Sequence, residues 1–471
     1  MVVGRKSEVS ILLNCLTTPR SELLAVYGRR RVGKTYLIRN TFAKNMCFDF
    51  SGTYKSSLKQ QLKNFHFTLK NQSPKNKIPK DWTEAFHQLS NYIDSLKSKK
   101  KKVIFLDEFP WLDTRKSNFL AAFDRFWNSY ALKRNDLIVV ICGSAASYMV
   151  TNIIKNKGGL HNRITQHIHL QPFNLRETEE LLRTNKVKLS RYEILQVYMA
   201  MGGIPHYLEK ILPGESVPQL IDRLCFEKDG FLRTEFKMIF ASLFDHYENH
   251  EMIIRMLANV RKGMTRNEIV AKIKIQSGGT LSKTLIELEE SGFIEKYLPY
   301  KGNKDALYRL TDEYSMFYIR YIENSKPSST SYWMKLQAQQ SVKVWSGFTF
   351  ETICMKHVEQ IKQGLKIHGV HSVNGSWIQK NSVSNAQIDL LIDRDDNVIN
   401  LCEMKFYNTE FSLDKKQIHD VMHKMNVFTE ATKTKKSIFI TYITTFGLSN
   451  NSYRRQFVQN ELTIDSLFLF I

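Results

Sequence analysis

Residues Leu23-Leu24-Ala25-Val26-Tyr27 form a short apolar run that ends in Gly28-Arg29-Arg30-Arg31-Val32-Gly33-Lys34-Thr35. Tyr36-Leu37-Ile38 then opens what reads as a helix. Strand, glycine-bounded loop and helix, with Gly-Lys-Thr at the junction, is the local context that a phosphate-binding loop requires. Gly28 and Gly33 permit backbone angles that a Cβ would forbid. The amides of Arg29, Arg30, Arg31, Val32 and Tyr36 can then turn toward phosphate oxygens at the positive end of the helix. Lys34 is expected to reach the terminal phosphates of ATP, and the Thr35 hydroxyl to hold Mg²⁺. A chain built around such a loop is expected to be α/β, with a parallel sheet.

A chain of 471 residues is long enough for two to four domains. No apolar run is long enough to span a bilayer. The start, Met1-Val2-Val3-Gly4-Arg5, lacks the apolar core of a signal peptide, so the expected compartment is the cytoplasm. The six cysteines are scattered, as in a reduced protein with buried thiols. A net charge of +22 favours polyanionic partners, nucleic acid and DNA first. The lysines are spread out, however, which a lysine-rich composition with no such partner would also give.

Ahead of the loop, Gly4-Arg5-Lys6-Ser7-Glu8 precedes an apolar-periodic helix, and this segment can fold over an adenine and ribose with Arg5 at its edge. Beyond a strand near residues 47–50 and a polar helical region over 56–96 lies Val103-Ile104-Phe105-Leu106-Asp107-Glu108. Four apolar residues fit a strand buried on both faces, and the carboxylates sit at its C-terminal end, where ligands of open α/β sheets bind. Asp107 is expected to coordinate Mg²⁺, and Glu108 to orient the attacking water. The next buried strand ends at Cys142-Gly143-Ser144, which makes Ser144 the candidate contact to the γ-phosphate. Arg163, in His161-Asn162-Arg163, is a candidate arginine finger supplied across a subunit boundary of a homo-oligomer. A helical stretch over 175–212 is broken at Gly202-Gly203-Ile204-Pro205, a kink that can pack against the adenine.

Three helices over 251–290 and a strand–loop–strand at 293–310, with Lys301-Gly302-Asn303 in the loop, suggest a winged helix. Its would-be recognition helix carries Glu287, Glu289 and Glu290, which favours a structural or protein-contact role over direct readout. A polar, proline-containing stretch from Asn324 to Ser331 reads as a linker.

At the far end, Gly347-Phe348-Thr349-Phe350-Glu351 is expected to open an amphipathic helix. Asp389 falls on one strand, and Glu403 and Lys405 fall on the next, where residues two apart face one side. Asp389 and Glu403 make a hard-oxygen Mg²⁺ set, Lys405 can position a nucleophile or stabilise charge, and Glu351 joins them as a catalytic candidate. Lys416 or Gln417, on the helix that follows, can add a phosphate contact.

These pieces carry two resemblances. Residues 1 to about 320 resemble the archaeal-type ATPases of the STAND branch of AAA+-like P-loop proteins, through Gly4-Arg5-x-x-Glu8, Gly28–Thr35, Asp107-Glu108 and Gly203-x-Pro205. That resemblance implies that Pro205 lies near the adenine. Residues 340 to 471 resemble the PD-(D/E)xK restriction-endonuclease-like domain, through Glu351, Asp389, Glu403 and Lys405. The expected layout is a P-loop ATPase core over 1–175, a helical lid over 176–245, a winged helix over 246–323, a linker over 324–340 and an α/β nuclease-like domain over 341–471. The expected activity is ATP hydrolysis driving a switch that controls a metal-dependent nuclease. A scaffold ATPase whose last domain binds without cutting, and a motor that remodels a protein, are the other readings.

Overall fold

The structure, a computed structural model, describes residues 2–71, 77–155, 160, 162–244, 246–273, 278–301, 305–327, 331–380 and 385–470. His161 and the loop residues Gly302 and Asn303 fall outside these ranges. Two compact units result. The first is Met1–Gln171 with Ser242–Asp245 and Glu290–Gly292; the second is Pro172–Ala241, His246–Glu289 and Phe293–Ile471.

The first unit is organised on five strands: β1 (Glu22–Tyr27), β2 (Met46–Ser51), β3 (Lys102–Asp107), β4 (Leu137–Gly143) and β5 (Gln166–His169). Their order across the sheet is β2-β3-β4-β1-β5, and every pairing is parallel. Strands β1, β3 and β4 are buried along their whole length. Their unbroken apolar runs follow from helices covering both faces of the sheet. On one face, helices Leu58–Lys70, Trp82–Ser95 and Phe119–Ser129 bury a large aromatic cluster. Trp82 meets Phe119 edge-on at 4.9 Å, and Phe109 lies 4.8 Å from Phe119. Phe109 directly follows the acidic pair at the end of β3, so this cluster fixes where the pair sits. Such ring pairs contribute about 0.5–1.5 kcal/mol each beyond their buried area.

The second unit begins with helices Leu175–Thr184 and Arg191–Met201, each opened by a capping box. A three-stranded antiparallel sheet follows, formed by β6 (Met264–Thr265), β7 (Ile294–Tyr297) and β8 (Leu307–Leu310) in the order β6-β8-β7. Helices Glu248–Leu257, Arg266–Lys272 and Gly278–Glu290 accompany it. The chain ends in a five-stranded sheet of order β13-β12-β11-β10-β9, built from β9 (Ser372–Lys380), β10 (Asn385–Arg394), β11 (Val398–Lys405), β12 (Ser437–Thr444) and β13 (Asn460–Thr463). The hairpin β9-β10-β11 is antiparallel, and β11-β12-β13 is parallel.

Two expectations change here. Part of the stretch expected as a linker is the helix Tyr332–Leu336. Trp333 on it is buried, with its ring parallel to that of Phe226 and its backbone N–H donating to Asp222 Oδ1 at 2.6 Å. The aromatic content of Tyr332-Trp333 outweighs the polar flank. Gly347–Glu351 does not open a helix but lies inside Gln340–Lys356, because the helix continues through Gly347, where an added Cβ meets nothing within 4 Å. Among the described residues, no helix is long and apolar enough to cross a membrane.

Candidate functional site

Strand β1 runs straight into the glycine-bounded loop, and the helix Lys34–Thr41 leaves it. Gly28 takes φ +144°, and a Cβ on it would lie 2.3 Å from the Leu170 carbonyl oxygen. Gly33 takes φ +90° at the start of the helix, with open space where a Cβ would stand. The two glycines therefore act differently: one allows a close backbone approach, and the other supplies the turn and leaves a cradle open. Arg31 shares the left-handed backbone, with φ 71°. Arg29 and Val32 are buried, and the Arg30 guanidinium stands 5.4 Å from the Trp111 ring centre. Tyr36 is 53% exposed on the outer side of the helix.

The Lys34 side chain is buried and curls back into its own loop. Its ammonium donates to Gly28 O at 2.8 Å and to Arg29 O at 2.9 Å. Burial pushes its pKa below the ordinary lysine value, against the pull of nearby acids that include Glu108 and Asp107. Among the described residues, the hydrogen bonds of this buried ammonium go to neutral carbonyls, which leaves its charge under-compensated. Thr35 Oγ1 donates to Asp107 Oδ2 at 2.8 Å, so the hydroxyl and carboxylate named from 72 residues apart meet directly. Glu108 turns left-handed at φ 46°, and its backbone N–H donates to Asp107 Oδ1 at 3.0 Å. That turn swings the Glu108 carboxylate toward the end of β4. There Ser144 donates to Glu108 Oε2 through Oγ at 2.8 Å and through its backbone N–H at 3.3 Å. The donors fit ATP and Mg²⁺ chemically: a lysine, a hydroxyl–carboxylate pair and an open glycine cradle, gathered at the C-terminal ends of parallel strands.

The remaining candidates of this region are placed less directly. Arg5 is buried, and its guanidinium donates to Val32 O at 3.2 Å and to Gln171 O at 2.6 Å. It braces the loop by its carbonyl side. Arg163 is exposed, in a turn closed by its N–H to Leu160 O. Pro205 belongs to the second unit, at the first turn of the short helix Pro205–Leu208. The preceding glycines serve packing: a Cβ on Gly203 would lie 1.8 Å from Phe173 O, and Phe173 N–H donates to Gly203 O at 2.7 Å.

In the second unit, β10 and β11 pair with Leu390 opposite Cys402. Asp389 and Glu403 are the residues adjoining that pair on β10 and β11. Asp389, Glu403 and Lys405, with Gln417 from helix Lys415–Thr432, line one cavity of about 380 Å³. Lys416 is not among the residues lining it. Glu403 is buried between two ammonium groups, Lys405 Nζ at 3.2 Å and Lys424. Burial would raise its pKa, but the two lysines outweigh burial and hold it below the ordinary glutamate value. Glu351, from the neighbouring helix, shares a second cavity with Asp389. Arg261 bridges them, in contact with Glu351 and 3.3 Å from Asp389 Oδ2. Among the described residues, no group of three or more His, Cys, Asp or Glu is placed to hold a metal ion. The two carboxylates expected to hold Mg²⁺, Asp389 and Glu403, line the same cavity.

Sequence reasoning missed Lys424, Arg261 and the Ser144–Glu108 bond. Lys424 had a signal: Gln417, Val421 and Lys424 recur at helical spacing on one face. Arg261 had none, since it lies in a turn 90 residues before Glu351.

Residues 2–211 match the family described as an ATPase domain predominantly from Archaea. The uncharacterized protein MJECL04 of Methanocaldococcus jannaschii is 25% identical over 437 residues, spanning 90% of this chain and 92% of that one. Among solved structures, the chain is similar to the Walker-type ATPase PABY2304 of Pyrococcus abyssi, with 17% identity, TM-score 0.49, and coverage of 68% of this chain and 96% of that one. It is also similar to the Aeropyrum pernix ORC2 protein, solved in ADPNP and ADP complexes, with 14% identity, TM-score 0.42, and coverage of 69% and 94%.

Proposed function

We propose that the chain is a cytoplasmic ATP-binding and ATP-hydrolysing switch coupled to a C-terminal nuclease-like domain that acts on nucleic acid, DNA first. The observation that carries the first half is the meeting of Lys34, Thr35, Asp107, Glu108 and Ser144 at the ends of β1, β3 and β4. Mg²⁺-ATP supplies the transferable phosphoryl group and the charge that neutralises it. Lys34 exchanges two loop carbonyls for phosphate oxygens, which better compensate a buried ammonium. Thr35 and Asp107 are the pair that would hold the metal. Glu108 accepts a hydrogen bond from the attacking water and orients it. Ser144 keeps the Glu108 carboxylate parked until bound phosphate competes for the serine hydroxyl. Arg5 keeps the loop's outer carbonyls in place. Arg163 is the proposed finger offered to a neighbouring copy, and Pro205 the proposed contact near the adenine.

The second half rests on the carboxylate–lysine set on β10 and β11, supported by the chain's net charge of +22. The β6–β8 sheet and its helices are read as a winged helix that relays nucleotide state. A regulatory ATPase whose last domain binds DNA or protein without cutting is the second reading, and one observation favours it: every carboxylate of the set already has a cationic partner. The deciding measurement is cleavage of plasmid DNA and of RNA by the whole chain in Mg²⁺ or Mn²⁺, with and without ATP. Metal-dependent cutting that Asp389→Ala abolishes supports the nuclease. Binding of nucleic acid with no cleavage under either metal supports the scaffold.

A further inference from the structure

We propose that Arg261 is a built-in counter-cation that closes the far-end carboxylate site and must be displaced before a divalent cation can enter. The inference rests on the reading of Asp389 and Glu403 as metal ligands with Glu351 as the catalytic group beside them.

Arg261 reaches the site from the turn between helix Glu248–Leu257 and β6, outside the sheet that carries the carboxylates. The same guanidinium touches Glu351 on helix Gln340–Lys356 and Asp389 on β10. It also lies over the Phe348 ring at 4.0 Å, one helical turn before Glu351. One cation shared by carboxylates from two separate elements occupies the electrostatic position that a divalent ion would take. A planar guanidinium suits this, since its fork satisfies two acceptors at once.

The turn is held in place. Tyr297 Oη donates to Lys262 O at 2.5 Å. Gly263 takes φ +79°, with Tyr308 O 2.5 Å from where its Cβ would be. Tyr300, just beyond β7, donates from its backbone to Ser376 O at 2.7 Å and from Oη to Asp393 Oδ2 at 2.6 Å. The backbone of the Arg261 turn is therefore fixed relative to β9 and β10. The side chain is not, because it is 42% exposed and can swing into solvent by rotamer change alone. Lys405 and Lys424 differ in kind. Both stand on the site's own strand and helix and neutralise Glu403 from within. Arg261 is the cation contributed by the region read as a winged helix, so a swing of its side chain toward a competing phosphate would open the site.

The test is Mn²⁺ binding by calorimetry on the full chain without nucleotide, in wild type, Arg261→Ala, Arg261→Gln and the double variant Arg261→Ala/Asp389→Ala. Thermal melting confirms that each is folded, and the glutamine variant serves if alanine melts early. The expected result is Mn²⁺ affinity about tenfold above wild type in both single variants, the size of an ordinary coupling between sites, and loss of that gain in the double variant. Equal affinity in wild type and in a folded Arg261 variant overturns the proposal. Plasmid cleavage by the same proteins separates this from the nuclease reading. A gain in Mn²⁺ affinity with no cutting upholds the counter-cation and sinks the nuclease. Cutting by wild type, with neither binding nor rate raised in the variants, does the reverse.

Discussion

The phosphate loop and the far-end carboxylate site contain the same kinds of groups and arrange them oppositely. At the loop, the cation is the protein's and the anion is left to the ligand: Lys34 rests on two neutral carbonyls, and phosphate offers it more than the fold does. At the far end the protein supplies both. Glu351 and Asp389 hold Arg261, and Glu403 holds Lys405 and Lys424. An under-compensated buried charge invites a partner, whereas a compensated one resists it. The difference teaches that residue content alone does not make a site available; the local charge balance does.

Changing the acids offers the sharpest way to break this comparison. Glu108→Gln keeps the shape and the Ser144 contact but removes the base. ATP turnover is expected to fall by about 10²–10⁴-fold, the usual contribution of a positioned general base, while bound ATP persists on the protein. Near-normal steady-state turnover would show that Glu108 does not orient the water.

Acid should distinguish the regions next. His357 is buried at the end of helix Gln340–Lys356, where its Nδ1 bonds Ile353 O and its Nε2 accepts from Leu175 N–H at the start of helix Leu175–Thr184. Burial pulls its pKa down to about 4 from the ordinary 6.5. The folded state therefore holds this histidine neutral while the unfolded chain takes up a proton. Stability from this source is complete above pH 6.5 and drains away as pH falls toward 4, by about 3 kcal/mol. Melting curves from pH 7 to 4.5 should show the loss, and His357→Gln should flatten it. An equally steep acid limb in that variant would remove His357 as the cause.

A smaller effect tests the loop region's own regulation. Ser144→Ala frees Glu108, and a lost hydrogen bond to a charged group costs about 1.5–3 kcal/mol in the state that holds it. If the bond restrains the idle site, basal turnover should rise several-fold. A fall of similar size, together with weaker ATP binding, would assign Ser144 to the phosphate instead.

What the sequence disclosed divides along the same line. Gly28 through Thr35 was legible because loop, lysine and hydroxyl are consecutive, and Asp107-Glu108 because a buried apolar run announces a strand end. The parallel sheet followed from those runs. Arg5 and Gly203 carried clear signals, but the contacts they make within the fold were not legible: Arg5 braces Val32 O, and Gly203 makes room for Phe173 O. Both contacts depend on a distant chain segment that no local pattern specifies. Trp333, Arg261 and Ser144 belong to the same class. Their partners are fixed by packing, and side-chain type told only what each could bond, not what it does bond.

The central claim is that the loop between Gly28 and Gly33, completed by Lys34, binds a nucleoside triphosphate. Calorimetric titration of Mg²⁺-ATP into the full wild-type chain and into Lys34→Ala tests it most directly. Saturable binding to wild type, weakened by about a hundredfold or more in the variant as expected for a desolvated charge-assisted contact, is the predicted result. Equal affinity in the two proteins would contradict it.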